Sequence, residues 1–145
     1  MSARARESNL WNWLRDGAPD DCFMERIENS IAVGTPDVFG VWRGVAFCAE
    51  LKSVGRRPTG DVWCEVKTDQ AMFLRAWRRA GGLSWVLVQV GVMHAARRYL
   101  VDGVLSDQLL EPLPELALRS LSMQSHMVDH GMQSARWLIE RMTGA

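Results

Sequence analysis

The order of hydrophobic patterns along this 145-residue chain predicts an α/β domain. One helix, three strands, a second helix and a further strand would surround a mixed sheet, followed by a helical tail. Three observations carry that expectation. An apolar stripe with helical spacing opens the chain, two strand-length runs meet at Arg43-Gly44, and a continuous apolar run follows Gly81-Gly82.

The first helix is expected from Ala3 to Arg15, with Glu7, Leu10, Trp11 and Leu14 on one stripe. Glu7 thus ends an otherwise apolar, core-facing row. Gly17-Ala18-Pro19-Asp20 breaks the helix, and Cys22 to Glu28 reads as a strand. Val38 to Trp42 and Val45 to Lys52 are the next two strands, and Arg43-Gly44 suits a two-residue hairpin turn. Gly40 is a position where a bulge would shift the register by one.

Ser53 to Gly60 reads as a loop and Val62 to Val66 as a short edge segment. Thr68 or Asp69 suits the N-cap of a helix reaching about Ala80, closed by Gly81-Gly82. On that helix Gln70, Phe73, Leu74 and Trp77 share one stripe, while Arg75, Arg78 and Arg79 share another. Leu83 to Val92 has the continuous apolar character of a buried central strand, and Arg98 to Val101 fits an edge strand. Beyond Pro112 and Pro114, Glu115 to Met142 reads as helical with a break near Gly131. The expected division is a core over 1–105 and a helical tail over 106–145, with oligomerisation as the tail's candidate role.

Composition places the chain among ordinary globular domains and away from long disorder, at 48% hydrophobic and 23% charged residues. No run is long enough to span a membrane and the amino terminus has no signal-peptide core, so cytoplasmic residence and no membrane partner are expected. Cys22, Cys48 and Cys64 are odd in number and lack a CxxC pair, which points to small core side chains rather than a disulfide framework or zinc ribbon. Net charge is zero, but its distribution is uneven. Arg43 to Arg79 holds eight basic residues against four acidic, and after Tyr99 six acids oppose three arginines. A basic middle could face phosphate.

The hairpin carries the chemistry. A two-residue turn sets Trp42 opposite Val45, Phe39 opposite Cys48 and Asp37 opposite Glu50, and Lys52 projects from the same face as Glu50. Like charges directly opposed across a ladder are destabilising. Two acids so placed need a proton or a cation between them, and a hard divalent ion is the natural occupant.

Gly34-Thr35-Pro36-Asp37, a hairpin-length gap, an apolar run ending in Glu50-Leu51-Lys52 and then a helix bearing Gln70 together resemble the PD-(D/E)XK nuclease superfamily. The nearest likeness is to its VRR-NUC-like and phage Holliday-junction-resolvase-like branches. The resemblance covers roughly Ala3 to Val92 and implies a restriction-endonuclease-like αβββαβ core. It implies Mg²⁺ (or Mn²⁺) held by Asp37, Glu50, the Leu51 carbonyl and Glu7, directly or through water. Lys52 would orient the attacking water or stabilise developing charge. Gln70 matches the glutamine that the VRR-NUC-like branch carries on this helix. The implied activity is DNA endonuclease cleavage of duplex or branched substrates by a homodimer, in a bacterial or phage-infected cell. A non-cutting DNA-binding module of the same fold is the alternative.

Other candidates have ordinary readings beside them. Glu25 and Glu28 rival Glu7 as the first-helix acid, and Glu65-Val66-Lys67 is a competing ExK triplet. Arg56 and Arg57, just past Lys52, are candidate phosphate contacts together with Thr35 and Arg43. His126 and His130 have zinc-chelating spacing, but polar positions on an amphipathic helix account for them better. Trp42 and Trp63 would serve base stacking only if exposed.

Overall fold

The computed structural model describes residues 2–28, 32–92, 95–124 and 134–144. Helix α1 spans Ala3–Asp16 and starts where the Ser2 hydroxyl accepts the Ala5 N–H at 3.2 Å. Strands β1 (Phe23–Arg26), β2 (Val38–Trp42) and β3 (Val45–Val54) follow as an antiparallel meander. Helix α2 (Thr68–Arg79) crosses over to β5 (Leu83–Val90), which runs parallel to β3 and pairs with antiparallel β6 (Arg97–Asp102). The five-stranded mixed sheet therefore has the order β1-β2-β3-β5-β6. This is the αβββαβ core with a mixed sheet that the sequence predicts.

The hairpin register is the expected one, from Trp42 opposite Val45 to Val38 opposite Ala49. Arg43 and Gly44 both take positive φ, which matches the right-handed twist of the flanking strands. Gly40 introduces no bulge. It stays in the ladder opposite Phe47, where a side chain would collide with the Phe47 ring at 2.5 Å.

Two apolar layers enclose the sheet. One face packs Val38, Phe47, Leu51 and Leu87 under Leu10 and Leu14 of α1 and Leu138, Ile139 and Met142 of α4 (Ala135–Thr143). The other packs Val86, Val88, Tyr99 and Val101 under Ala71 and Leu74 of α2, a 3-10 segment (Gly103–Leu109) and Leu118 and Leu121 of α3 (Glu115–Gln124). Strand β5 is buried at every residue except Leu83 and Gln89, as its apolar run requires.

Several boundaries differ from the sequence reading. The segment read as an edge of the main sheet is only β4 (Asp61–Val62), paired with β7 (Leu113–Pro114) in a separate two-stranded ladder. Helix α2 is capped at Lys67 rather than at Thr68 or Asp69, because Gln70 Oε1 accepts the Lys67 N–H at 3.0 Å. The tail is packed on the core, with α4 resting on α1, β3 and β5. His126, Asp129, His130 and the break near Gly131 lie outside the described residues. Among the described residues no helix is long and apolar enough to cross a membrane.

Candidate active site

The parity of the strands brings the acids together. The Asp37 carbonyl accepts the Ile27 N–H at 2.6 Å, so its backbone faces β1 and its position opposite β3 is a non-hydrogen-bonded one. At such positions side chains approach most closely. Glu50 is almost fully buried, only 3% exposed, and Lys52 is 7% exposed. The Lys52 Nζ lies 3.6 Å from Glu50 Oε1, and Gln70 Nε2 donates to the same oxygen at 2.9 Å. Gln70 thus joins the helix start to the site. Its amide oxygen takes a backbone N–H while its amide nitrogen holds the carboxylate.

Asp37 Oδ2 accepts the Leu51 N–H at 2.9 Å. In a strand a residue's N–H and C=O point to the same side, so the Leu51 carbonyl also faces Asp37. Glu50 Oε2 is buried and has no hydrogen-bond donor. Burial foremost, and then the Asp37 carboxylate beside it, push the Glu50 carboxyl up to about 9 despite Lys52. Left alone, Glu50 holds a proton that the ordinary carboxylate range would have released.

Glu7 reaches the same cleft from α1. Burial raises its carboxyl above the usual range; Asp37 and Glu65 push the same way, while Lys52 and Arg26 oppose them. Glu25 instead sits exposed on β1, and Glu28 pairs with Arg4 at 3.7 Å. The central cleft, about 520 Å³, is lined by Glu7, Asp37, Glu50, Lys52 and Gln70. Among the described residues no three His, Cys, Asp or Glu side chains form a ready cation cage. The donor set at the centre is two carboxylates and a main-chain carbonyl, with Glu7 at the rim. That set and the donor-less Glu50 oxygen fit a magnesium-sized ion, which keeps several waters and uses one or two carboxylates.

Two further clefts adjoin this one. Thr35 lines the first, about 630 Å³, with Arg4, Arg26 and Lys67, and Arg57 lines the second, about 200 Å³, with Arg6. The remaining candidate cations are placed elsewhere. Arg43 sits on the turn at the opposite end of β2 from Asp37, stacked 4.4 Å over Trp42. Arg56 makes a two-pronged ion pair with Glu115, at 2.7 and 3.0 Å, and Tyr99 donates to that carboxylate at 2.8 Å. Arg75 pairs with Asp107 and Arg78 with Asp102.

Trp63, Glu65 and Lys67, which the sequence offered only as a conditional stacking ring and a competing ExK triplet, line the central cleft beside the acids. The signal was present in the alternation of Val62, Cys64 and Val66, all buried, with Trp63 and Glu65 between them and Lys67 following. Glu65-Val66-Lys67 thus lines the same cleft as Glu50 and Lys52.

Fold and site together define an α/β protein with a carboxylate–lysine centre beside the parallel pair of β3 and β5. Among solved structures the chain is similar to the Holliday junction resolvase Hjc of the archaeal hyperthermophile Archaeoglobus fulgidus. The two share 16% identity and a TM-score of 0.46 over 66% of this chain and 74% of that one. No family model and no curated protein sequence matches.

Proposed function

We propose that this chain is a Mg²⁺- or Mn²⁺-dependent DNA endonuclease that hydrolyses phosphodiester bonds. The observation that carries the reading is a buried Glu50 carboxylate crowded by the Asp37 carboxylate, with an Oε2 that lacks a donor and with Lys52 beside it. Asp37, Glu50 and the Leu51 carbonyl would hold the ion, with Glu7 acting through water. The ion would supply a water of lowered pKa and neutralise charge on the phosphate oxygens. Gln70 keeps the Glu50 carboxylate turned toward Asp37. Lys52, held by Glu50, presents a compact cation to the oxygen on which charge builds. The adjoining clefts with Arg4, Arg26 and Lys67 on one side and Arg6 and Arg57 on the other suit a phosphate backbone crossing the centre.

Branched DNA, including four-way junctions, is the substrate class we favour. A homodimer belongs to that reading, since two symmetric strands call for two equivalent sites. The cytoplasm would be its compartment. A non-cutting DNA-binding module is the second reading, favoured because among the described residues no three His, Cys, Asp or Glu side chains form a ready cation cage.

The test is cleavage of a labelled four-way junction and a matched linear duplex in Mg²⁺ by the parent chain, Asp37→Ala and Lys52→Ala. Junction-selective cutting that falls about 100-fold or more in each variant is expected. Equal activity in the variants would discard the assigned centre. A folded parent that binds the junction but cuts it in neither Mg²⁺ nor Mn²⁺ would favour the binding module.

A further inference from the structure

Trp63 is half exposed although its neighbours in the chain are not. Val62 and Cys64 are fully buried and Val66 nearly so, anchoring this extended segment in the core under α2. The intervening residues Trp63, Glu65 and Lys67 face the cleft of Asp37 and Glu50. The indole N–H donates to the Leu110 carbonyl at 3.1 Å, which holds the ring in place. At 45% exposed, the ring is both accessible and anchored. It lines the central cleft and also the neighbouring cleft that contains Arg6 and Arg57. Isolated exposed apolar residues such as Leu116 on α3 need no special account. A tethered indole between a reaction centre and a basic cleft is a different arrangement.

We propose that Trp63 is a stacking platform for a nucleobase adjoining the scissile phosphate. This rests on the endonuclease reading of the centre and narrows its substrate class. A base inside a duplex has both faces covered by its neighbours and offers none to a protein ring. Only an unstacked nucleotide can lie on Trp63, as at a branch point, a flap or a single-stranded gap. Its flanking phosphates would then fall toward Lys52 and Lys67 on one side and toward Arg6 and Arg57 on the other. Because the ring is already held by Leu110, stacking requires little further ordering of the protein. Intact duplex would have to unstack a base first, at a cost of a few kcal/mol, so Trp63 discriminates against it.

The experiment is a cycle between protein and DNA. The cut made by the parent chain in a four-way junction is mapped, and junctions are prepared with one abasic nucleotide at each position flanking it. Cleavage at subsaturating enzyme and affinity by fluorescence anisotropy are measured for the parent, Trp63→Ala and Trp63→Phe. Trp63→Ala is expected to lose about 5- to 150-fold on the junction, the factor for one stacked base. Trp63→Phe should recover most of that loss. One abasic position should cost the parent the same factor and Trp63→Ala nothing further. Losses that multiply at every position, or a folded Trp63→Ala equal to the parent, would overturn the proposal. If the parent cuts no DNA, the endonuclease reading fails by itself. A cycle in affinity, with single abasic nucleotides placed at each position around the branch point, then decides the platform: coupling at one position upholds it, and independent losses remove it.

Discussion

Replacing Glu50 by Gln is expected to stabilise the metal-free protein, and the size of the effect follows from the buried pair. Burial pushes the Glu50 carboxyl up to about 9, whereas an ordinary Glu releases its proton near 4.5. Between those values the folded state binds more protons than the unfolded one, so stability falls as pH rises through the window. At pH 7 the accumulated loss is about 3 kcal/mol, from one proton over roughly 2.5 pH units. Glutamine carries no proton to lose. Its oxygen can accept from Gln70, as Glu50 Oε1 does, and its amide can donate to Asp37 where Oε2 now has no donor. Thermal melts in chelator should therefore place Glu50→Gln roughly 10 °C above the parent at pH 7. The gap should shrink to under about 1 kcal/mol at pH 5. Added Mg²⁺ should raise the melting temperature of the parent more at pH 8 than at pH 6, because the ion displaces the proton, and should do little for the variant. A variant that melts no higher than the parent at pH 7 to 8 without metal would refute the argument that the buried acids are in conflict.

Three further expectations rest on other parts of the molecule. Lys67→Ala should reduce the slope of log affinity against log salt for DNA by about one, as loss of one phosphate contact does. Arg43→Ala should leave that slope unchanged, because the turn lies at the far end of the hairpin from the centre; an equal change in both would place the DNA track elsewhere. Leu138→Ala should cost about 2–5 kcal/mol in urea unfolding, since Leu138 is fully buried in the layer with α1 and β3. A loss below about 1 kcal/mol would mean that α4 is an appendage to the fold rather than part of its core.

Much of the centre was legible because it depends on local rules. Side chains alternate along a strand and a two-residue turn sets the register, so Arg43-Gly44 alone determines that Phe39 meets Cys48. Extending the same count puts Asp37 opposite Glu50 and puts Lys52 on Glu50's face. The helical stripe that carries Leu10 and Leu14 into the core likewise brings Glu7 to the cleft. Gln70 was readable as a polar member of an apolar stripe, although its double role was not. Its amide closes a helix cap and grips a carboxylate 20 residues earlier, which depends on how the crossover seats α2.

The charges outside the hairpin were decided by long-range packing. Arg56 follows the motif closely enough to look like a phosphate contact, yet it is bound by Glu115, 59 residues further along the chain. Arg78 has the same composition signal as Lys67, but it is committed to Asp102 and to the ring of Trp85. Trp63, Glu65 and Lys67 became cleft residues because Val62, Cys64 and Val66 found a core to enter. The sequence by itself set out the register of the β2–β3 hairpin that carries Asp37 and Glu50, since period and turn length act over a few residues. Which cations and which ring stand beside those acids was settled only by the tertiary structure. An ion pair or a buried anchor depends on partners that the chain brings together only after the sheet and its two apolar layers have formed.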